Sequence, residues 1–306
     1  MGNKDLTPAN LFENQKRHFF NRLFKFLVKT AAFLSVVVLV GIFALLAWNG
    51  LQMFREVSVF QFFFTSTWNP SALNAPSFGI GSMLAGTMLV TVAAMFIAFP
   101  VGIALAAYLS EVASPRMRGV VRPIIELLAG IPSVVVGFIG IVVIGPFLAK
   151  TFALSNGFTA LNGAILLAIM ALPSIVTVAE DALRAVPRAY REASYALGSN
   201  KWTTLVRVTL PAAGSGIVAA GVLGVGRAVG ETMTVLMATG NALEVPDSLF
   251  DAVRTMTATM AIEMGEVPFG TTHYFSLFAI GATLFIISLL FNLTAEYLAA
   301  KFRHQA

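Results

Sequence analysis

The sequence predicts an all-α membrane protein: six transmembrane helices preceded by an amphipathic N-terminal helix. Three observations carry that reading. Of 306 residues, 57% are hydrophobic and 11% charged, with a mean hydropathy of +0.82, whereas soluble domains carry about 25% charge. The apolar residues gather into stretches near the ~20 residues an α-helix needs to cross about 30 Å of hydrocarbon. The basic residues fall in alternate connections between those stretches. Helices follow because only they close their backbone hydrogen bonds within one segment.

In chain order, residues 1–28 are basic and amphipathic. Lys16, Arg17, Arg22 and Lys25 alternate with Phe12, Phe19, Phe20, Leu23, Phe24 and Leu27, as in a helix lying along a membrane surface. A cleaved secretory signal fits poorly, because the apolar run begins only after Lys29 and lacks a clear small-residue cleavage site. The first transmembrane helix lies within 29–56 and a turn-rich outer loop occupies 57–78, with Trp68, Asn69, Pro70, Asn74 and Pro76. Residues 79–300 form the main transmembrane domain, and 301–306 a short tail. The six spans are expected near 30–48, 83–109, 127–149, 161–179, 215–237 and 274–295. Pro100, Pro132 and Pro173 are expected to kink them. The acidic connection 241–272 has room for a helix over 248–264 that partly re-enters the membrane or lies at the outer mouth, and reads equally as a surface loop with an incidental helix.

With the N-terminus inside, the inner segments hold six, three, five and two Lys or Arg residues, sixteen together. The outer loops hold three: Arg55, Lys150 and Arg254. That bias places both termini and the loop 180–212 in the cytoplasm. It also explains the net charge of +5 without nucleic acid. There is no Cys, hence no disulfide or thiolate metal site. His18, His273 and His304 lie far apart in the chain and predict no metal centre. No Gly-Lys dipeptide occurs, so the chain has no phosphate-binding loop of its own.

The stretch from Glu180 to Thr234 organises the rest. Its polar part exceeds what a turn needs. Pro187 suits the first turn of a helix, 188–197 is rich in helix formers, and Gly198 can take the left-handed conformation that ends one. The product is a rigid two-part knob. The fifth span that follows contains Arg227 and Glu231, four residues apart and so on one helical face. An Arg at the bilayer centre costs about 2.5–3.5 kcal/mol on insertion scales, so both should face protein or a water-filled path. Gly214, Gly216, Gly221, Gly224, Gly226 and Gly230 around them permit close helix approach. The planar fork of Arg227 suits an oxyanion. Glu231 can accept from a protonated oxygen, which hydrogen phosphate has and sulfate lacks. A mutually neutralising ion pair is the alternative, and spacing leaves both open. The hydroxyls of Ser133 and Thr232 are further pathway candidates, each equally readable as bonded to its own helix.

The loop resembles the EAA signature of ABC importer permeases: Glu-Ala-Ala, three residues, Gly, nine residues, an aliphatic residue, any residue, Leu-Pro. Here it reads Glu192-Ala193-Ser194, Gly198, Val208, Leu210-Pro211, with Ser for the second Ala and Val for the usual Ile. The runs Gly226–Met233 and Glu126–Gly137 resemble phosphate-importer permeases, with Val136 where Tyr is common. Met233, Leu236-Met237, Leu249-Phe250-Asp251, Arg254-Thr255 and Glu263-Met264-Gly265 resemble the PstC half of that pair, and the likeness runs from about Gly79 to Leu298. This resemblance implies the type I ABC importer permease architecture and a transport subunit rather than an enzyme. The chain would hold no cofactor, with ATP and Mg bound by a partner ATPase dimer into whose groove the loop docks. Further partners would be a PstA-like second permease, an outer phosphate-binding protein and membrane lipid. The protein would lie in the cytoplasmic (inner) membrane. Rival readings are a permease for another oxyanion (sulfate, molybdate or tungstate) and a gradient-driven secondary carrier. An intramembrane enzyme has no paired carboxylates, metal ligands or activated nucleophile in the spans to support it.

Overall fold

The structure, a computed structural model, describes residues 8–72 and 74–303. The expectations for residues 1–7 and His304 lie outside the described residues. Helix α1 runs unbroken over Pro8–Met53. The amphipathic N-terminal stretch is therefore helical but continuous with the first span, not a separate surface helix. No glycine or proline falls between Lys16 and Gly41 to interrupt the hydrogen-bond ladder. A short α2 (Val59–Phe64) and a two-residue antiparallel hairpin, β1 (Trp68–Asn69) with β2 (Ser77–Phe78), fold the first outer loop.

Helix α3 (Gly81–Ala107) closes in a wider π turn over Tyr108–Val112. The chain then forms α4 (Pro115–Ala129), started by Ser114, whose hydroxyl accepts from Met117 N. The third span does not begin at 127 as expected. Residues 127–129 end α4, Gly130–Pro132 break the chain, and the span proper is Ser133–Phe152. It comprises α5 (Ser133–Ile139), a π turn and α6 (Gly145–Phe152). Pro132 explains the break, since it lacks a donor and pushes Ile131 out of the helical region. By contrast α3 and α7 (Ala160–Ala185) run continuously through Pro100 and Pro173. Helix α7 also extends six residues beyond the expected end of the fourth span.

The polar loop folds as α8 (Arg188–Ala196), α9 (Lys201–Thr204), a third π turn over Leu205–Thr209, and α10 (Leu210–Ala212). Pro187 sits at the N-cap of α8, one residue ahead of the expected position. Gly198 takes the predicted left-handed conformation, φ +82°. The chain turns 73° into α11 (Gly214–Gly230). The expected fifth span is thus two pieces, α11 and α12 (Met233–Ala238), separated at Glu231-Thr232. Helix α13 is only Met256–Glu263, shorter than the expected 248–264, and its Met256, Ala258 and Thr259 are buried rather than lying on the surface. Helix α14 (Thr272–Arg303) completes the chain. Among the described residues five stretches are long and apolar enough to cross a membrane, and the bent pair ending in α11 supplies a sixth.

The core sits between α3 and α7. Ala94, Ala98 and Ala106 meet Ala164, Ala168, Ala171 and Ile175, all nearly fully buried. Small residues let the backbones approach, the usual driving geometry where lipid removes the hydrophobic advantage. A Cβ on Gly102 would lie 2.6 Å from Ile175 Cγ2, so that glycine sets the spacing. A second core at the opposite end gathers Met53, Phe62, Trp68, Phe78, Ile80, Met83, Met256 and Leu277. There Glu263 accepts from Trp68 Nε1, Arg254 Nη1 and His273, tying hairpin, α13 and α14 together. Asn162 on α7 is fully buried and donates from Nδ2 to the carbonyls of Gly140 and Gly157, holding the π turn of the third span.

Replacing Asn162 with Leu keeps the side-chain branching but removes both donations, leaving the Gly157 carbonyl without this partner and the Gly140 carbonyl with its helical one, Gly145 N. The expected cost is about 2 kcal/mol or more, read as a lower thermal unfolding midpoint of the purified protein in detergent.

Candidate functional site

Two helix interruptions meet inside the apolar body. The first is Gly130–Pro132, where Pro132 is extended (φ −60°, ψ 136°) ahead of α5. The second is Glu231-Thr232, where Glu231 is extended (φ −74°, ψ 133°) ahead of α12. Helices α5 and α12 pack against each other, with Gly137 so close to Met237 that a Cβ would lie 2.8 Å from its sulfur. Thr234, fully buried, joins the two breaks: its hydroxyl lies 3.1 Å from the Ser133 carbonyl and 3.3 Å from Glu231 Oε1. Thr234 N also donates to Glu231 Oε1 at 3.3 Å, so this carboxylate caps α12. Thr257 of α13 donates to the Glu231 carbonyl at 2.9 Å, satisfying a group the break leaves bare.

The sequence reading put Arg227 and Glu231 on one helical face. The structure does not: α11 ends at Gly230, and Glu231 belongs to the capping turn of α12. No ion pair joins them among the described residues. Arg227 lies in the last turn of α11, where a cation is favoured by the helix dipole. It lines a cleft of about 440 Å³ with Glu126 and Ala129 of α4, Pro173, Ser174 and Thr177 of α7, and Leu223. Its Nε is buried with no hydrogen-bond partner, which is costly unless a ligand or water completes it. Ser133 and Thr232 are half-buried, and among the described residues neither hydroxyl forms a hydrogen bond. Thr234 and Thr257 escaped the sequence reading. Only knowledge of where the helices break would have marked them.

The knob is a second site at the opposite end of α11. Along α8, Tyr190, Ala193 and Leu197 fall at i, i+3 and i+7 on the outward face, and Leu197 is 88% exposed. Glu192 is exposed beside them, as is Trp202 of α9, at 72%. Ser194 points inward and shares a 2.9 Å hydrogen bond with Thr204, fastening α8 to α9. Leu210 and Pro211 form the corner into α11. The knob is thus fastened inside by polar bonds, and outside it exposes Tyr190, Leu197 and Trp202 among charged residues.

Residues 98–304 match the family described as binding-protein-dependent transport system inner membrane component. The sequence is 37% identical over 279 residues to the probable ABC transporter permease protein YqgH of Bacillus subtilis (strain 168), covering 90% of each chain. It is 34% identical over 301 residues to the phosphate transport system permease protein PstC of Mesorhizobium japonicum, covering 91% of this chain and 90% of that one. The fold is similar to a chain of a bacterial ABC transporter involved in the import of the acidic polysaccharide alginate. There the TM-score is 0.59 at 16% identity, over 95% of this chain and 99% of the other.

Ser194→Ala leaves the buried Thr204 hydroxyl alone in the knob. A loss of about 1–2 kcal/mol of local stability is expected, seen as faster amide hydrogen exchange across 193–205 with the α3 and α7 amides unchanged.

Proposed function

This chain belongs to the family of binding-protein-dependent transport system inner membrane components, and from that premise we propose that it carries inorganic phosphate inward as one half of an ATP-driven permease. Its place in the family makes it a transport subunit and a multi-pass inner-membrane protein. Phosphate is favoured by the similarity to the PstC protein along nearly its whole length. The observation that carries the reading is Arg227, a half-buried guanidinium with an orphan Nε at a cleft beside a helix break.

The chemistry follows from the groups present. A guanidinium offers a planar fork that matches a tetrahedral oxyanion, and in a low-dielectric cleft that attraction is strong. Glu231 has one carboxylate oxygen committed to Thr234, and no hydrogen bond to its Oε2 occurs among the described residues. A free carboxylate oxygen accepts from the hydroxyl of hydrogen phosphate and repels sulfate, which has no proton to offer. On this reading the unbonded hydroxyls of Ser133 and Thr232, at the two breaks and outside the residues lining the Arg227 cleft, extend the route. Interrupted helices suit it, because irregular backbone at membrane depth belongs where it lines a path.

The partners follow the same logic. An ATPase dimer holding ATP and Mg seats the outward face of α8, with Glu192, Ala193, Ser194 and Gly198 in the docking turn and Leu210-Pro211 leading the motion into α11. The bias of basic residues puts this knob and both termini in the cytoplasm. A phosphate-binding protein meets the acidic far end. A second, PstA-like permease covers the exposed cleft and supplies the rest of the pathway.

The test is labelled phosphate uptake into proteoliposomes holding the co-purified complex, with binding protein outside, ATP inside and sulfate as competitor. Uptake that needs hydrolysable ATP and resists sulfate is expected. In Arg227→Ala it falls by about tenfold to a hundredfold with assembly intact, the worth of a lost charged contact. Uptake of another oxyanion keeps the machine and replaces the substrate, and uptake without ATP overturns the reading. Glu231→Gln keeps an acceptor for Thr234 but removes the charge. It is expected to admit sulfate, losing about tenfold in discrimination.

A further inference from the structure

The inward face of α8 carries a residue that neither the loop signature nor the proposed pathway uses. Arg191 precedes Glu192 and stands three residues before Ser194, so the two share the face turned to the membrane body. Its guanidinium is nearly saturated. Nε and Nη2 both donate to Glu111 Oε1, at 3.1 and 2.7 Å. Nη1 donates to the Val186 carbonyl and Nη2 also to the Leu183 carbonyl, each at 2.8 Å. The side chains of Arg191 and Glu111 are only 16% and 18% exposed.

The acceptors belong to different spans. Glu111 lies in the π turn that ends α3. The Leu183 and Val186 carbonyls are among those left unpaired at the C-terminal end of α7. Arg191 is therefore both an ion-pair partner of α3 and a cap of α7, and α3 and α7 form the tightest helix pair of the core. Arg118 of α4 grips the same end of α3 through the Leu109 and Ser110 carbonyls. It also approaches Glu180 of α7 within 3.9 Å. The covalent routes from the knob run back through Val186-Pro187 into α7 and forward through the 73° corner at α10 into α11, and neither leads to α3.

We infer that Arg191 is a positioning residue that transmits displacement of the knob to α3 through Glu111 and stiffens the Val186-Pro187 joint to α7, in parallel with the covalent path into α11. This inference rests on the reading of the chain as an ATP-driven importer permease. A displacement of α8 relative to α3 meets charge-assisted hydrogen bonds, and α7 follows through its capped two-residue joint, so the core pair moves with the ATPase. A lysine cannot replace it: one ammonium lacks the fork that reaches a carboxylate and two carbonyls together.

The test compares phosphate transported per ATP hydrolysed in proteoliposomes of the full complex, for the parent, Arg191→Lys and Glu111→Gln. Both variants are expected to co-purify with the ATPase and to hydrolyse ATP. Transport per ATP is expected to fall about tenfold, the worth of one charge-assisted link. The chain has no cysteine, so the pair Glu111→Cys with Arg191→Cys, in a complex with Cys-free partners, can be bridged by a short bis-maleimide. Bridging should restore transport per ATP in the double variant and not in either single one. Parent-like transport per ATP in both Arg191→Lys and Glu111→Gln overturns the inference. So does a fall in assembly and hydrolysis that leaves their ratio to transport unchanged, since that is a structural role alone. A parent that transports without ATP fails the underlying reading instead, and is distinguished by having no coupling to lose.

Discussion

Within a hydrocarbon layer no water completes the hydrogen bonds of an interrupted backbone, so every break in a spanning helix needs a partner from elsewhere in the protein. That constraint governs the centre of this molecule. The break at Glu231-Thr232 is possible because Thr257 donates to the bared Glu231 carbonyl and Thr234 donates to the Glu231 carboxylate. The Ser133 carbonyl at the other break is also met by Thr234. Helix α13 inserts among α3, α12 and α14, and the Met256 amide donates to Thr87 of α3. The outer segment is thereby built into the body rather than laid over it.

Tight packing makes the rest rigid enough for those few hydrogen bonds to be exact in geometry. The α3–α7 pair is a seam rich in alanine, close enough that Gly102 has no space for a side chain beside Ile175. Van der Waals contact, the main cohesive force between helices in lipid, is greatest where side chains are smallest. Against this seam α1 is peripheral, docked mainly on α14 with Gly50 against Ala279. Its other faces present Phe33, Leu34 and Val36 through Val40 outward, as lipid or a second subunit requires.

The knob inverts this economy. Its fixings are polar and inward, at Arg191, Ser194 and Thr204, and its apolar residues Leu197 and Trp202 are outward. Such a part holds its own shape and still exposes large apolar side chains. Among the described residues π turns occur at Tyr108–Val112, Gly140–Ile144 and Leu205–Thr209, and distant polar side chains hold the first two, Arg118 at the Leu109 and Ser110 carbonyls and Asn162 at the Gly140 carbonyl. Wider turns of this kind relax the regular ladder and often mark functional positions.

Much of this was legible in the chain itself, because long apolar runs, alternating basic connections, Pro132, Gly198 and the Glu192–Pro211 spacing are local signals that membrane thickness and backbone sterics read directly. They determined the class, the number of spans, the knob and its left-handed stop. The break after Gly230 was not local: Glu231 and Thr232 have no side chain that forbids helix. Only the distant donors Thr234 and Thr257, together with the packing of α12 on α5, make the interruption affordable. Tertiary structure therefore decided that Arg227 and Glu231 part company, that Arg227 lines a cleft with α4 and α7 while its Nε is buried unpaired, and that α13 packs into the body. The reason is physical: helix period is a property of neighbouring residues, whereas hydrogen bonds at a broken helix are completed by groups far along the chain.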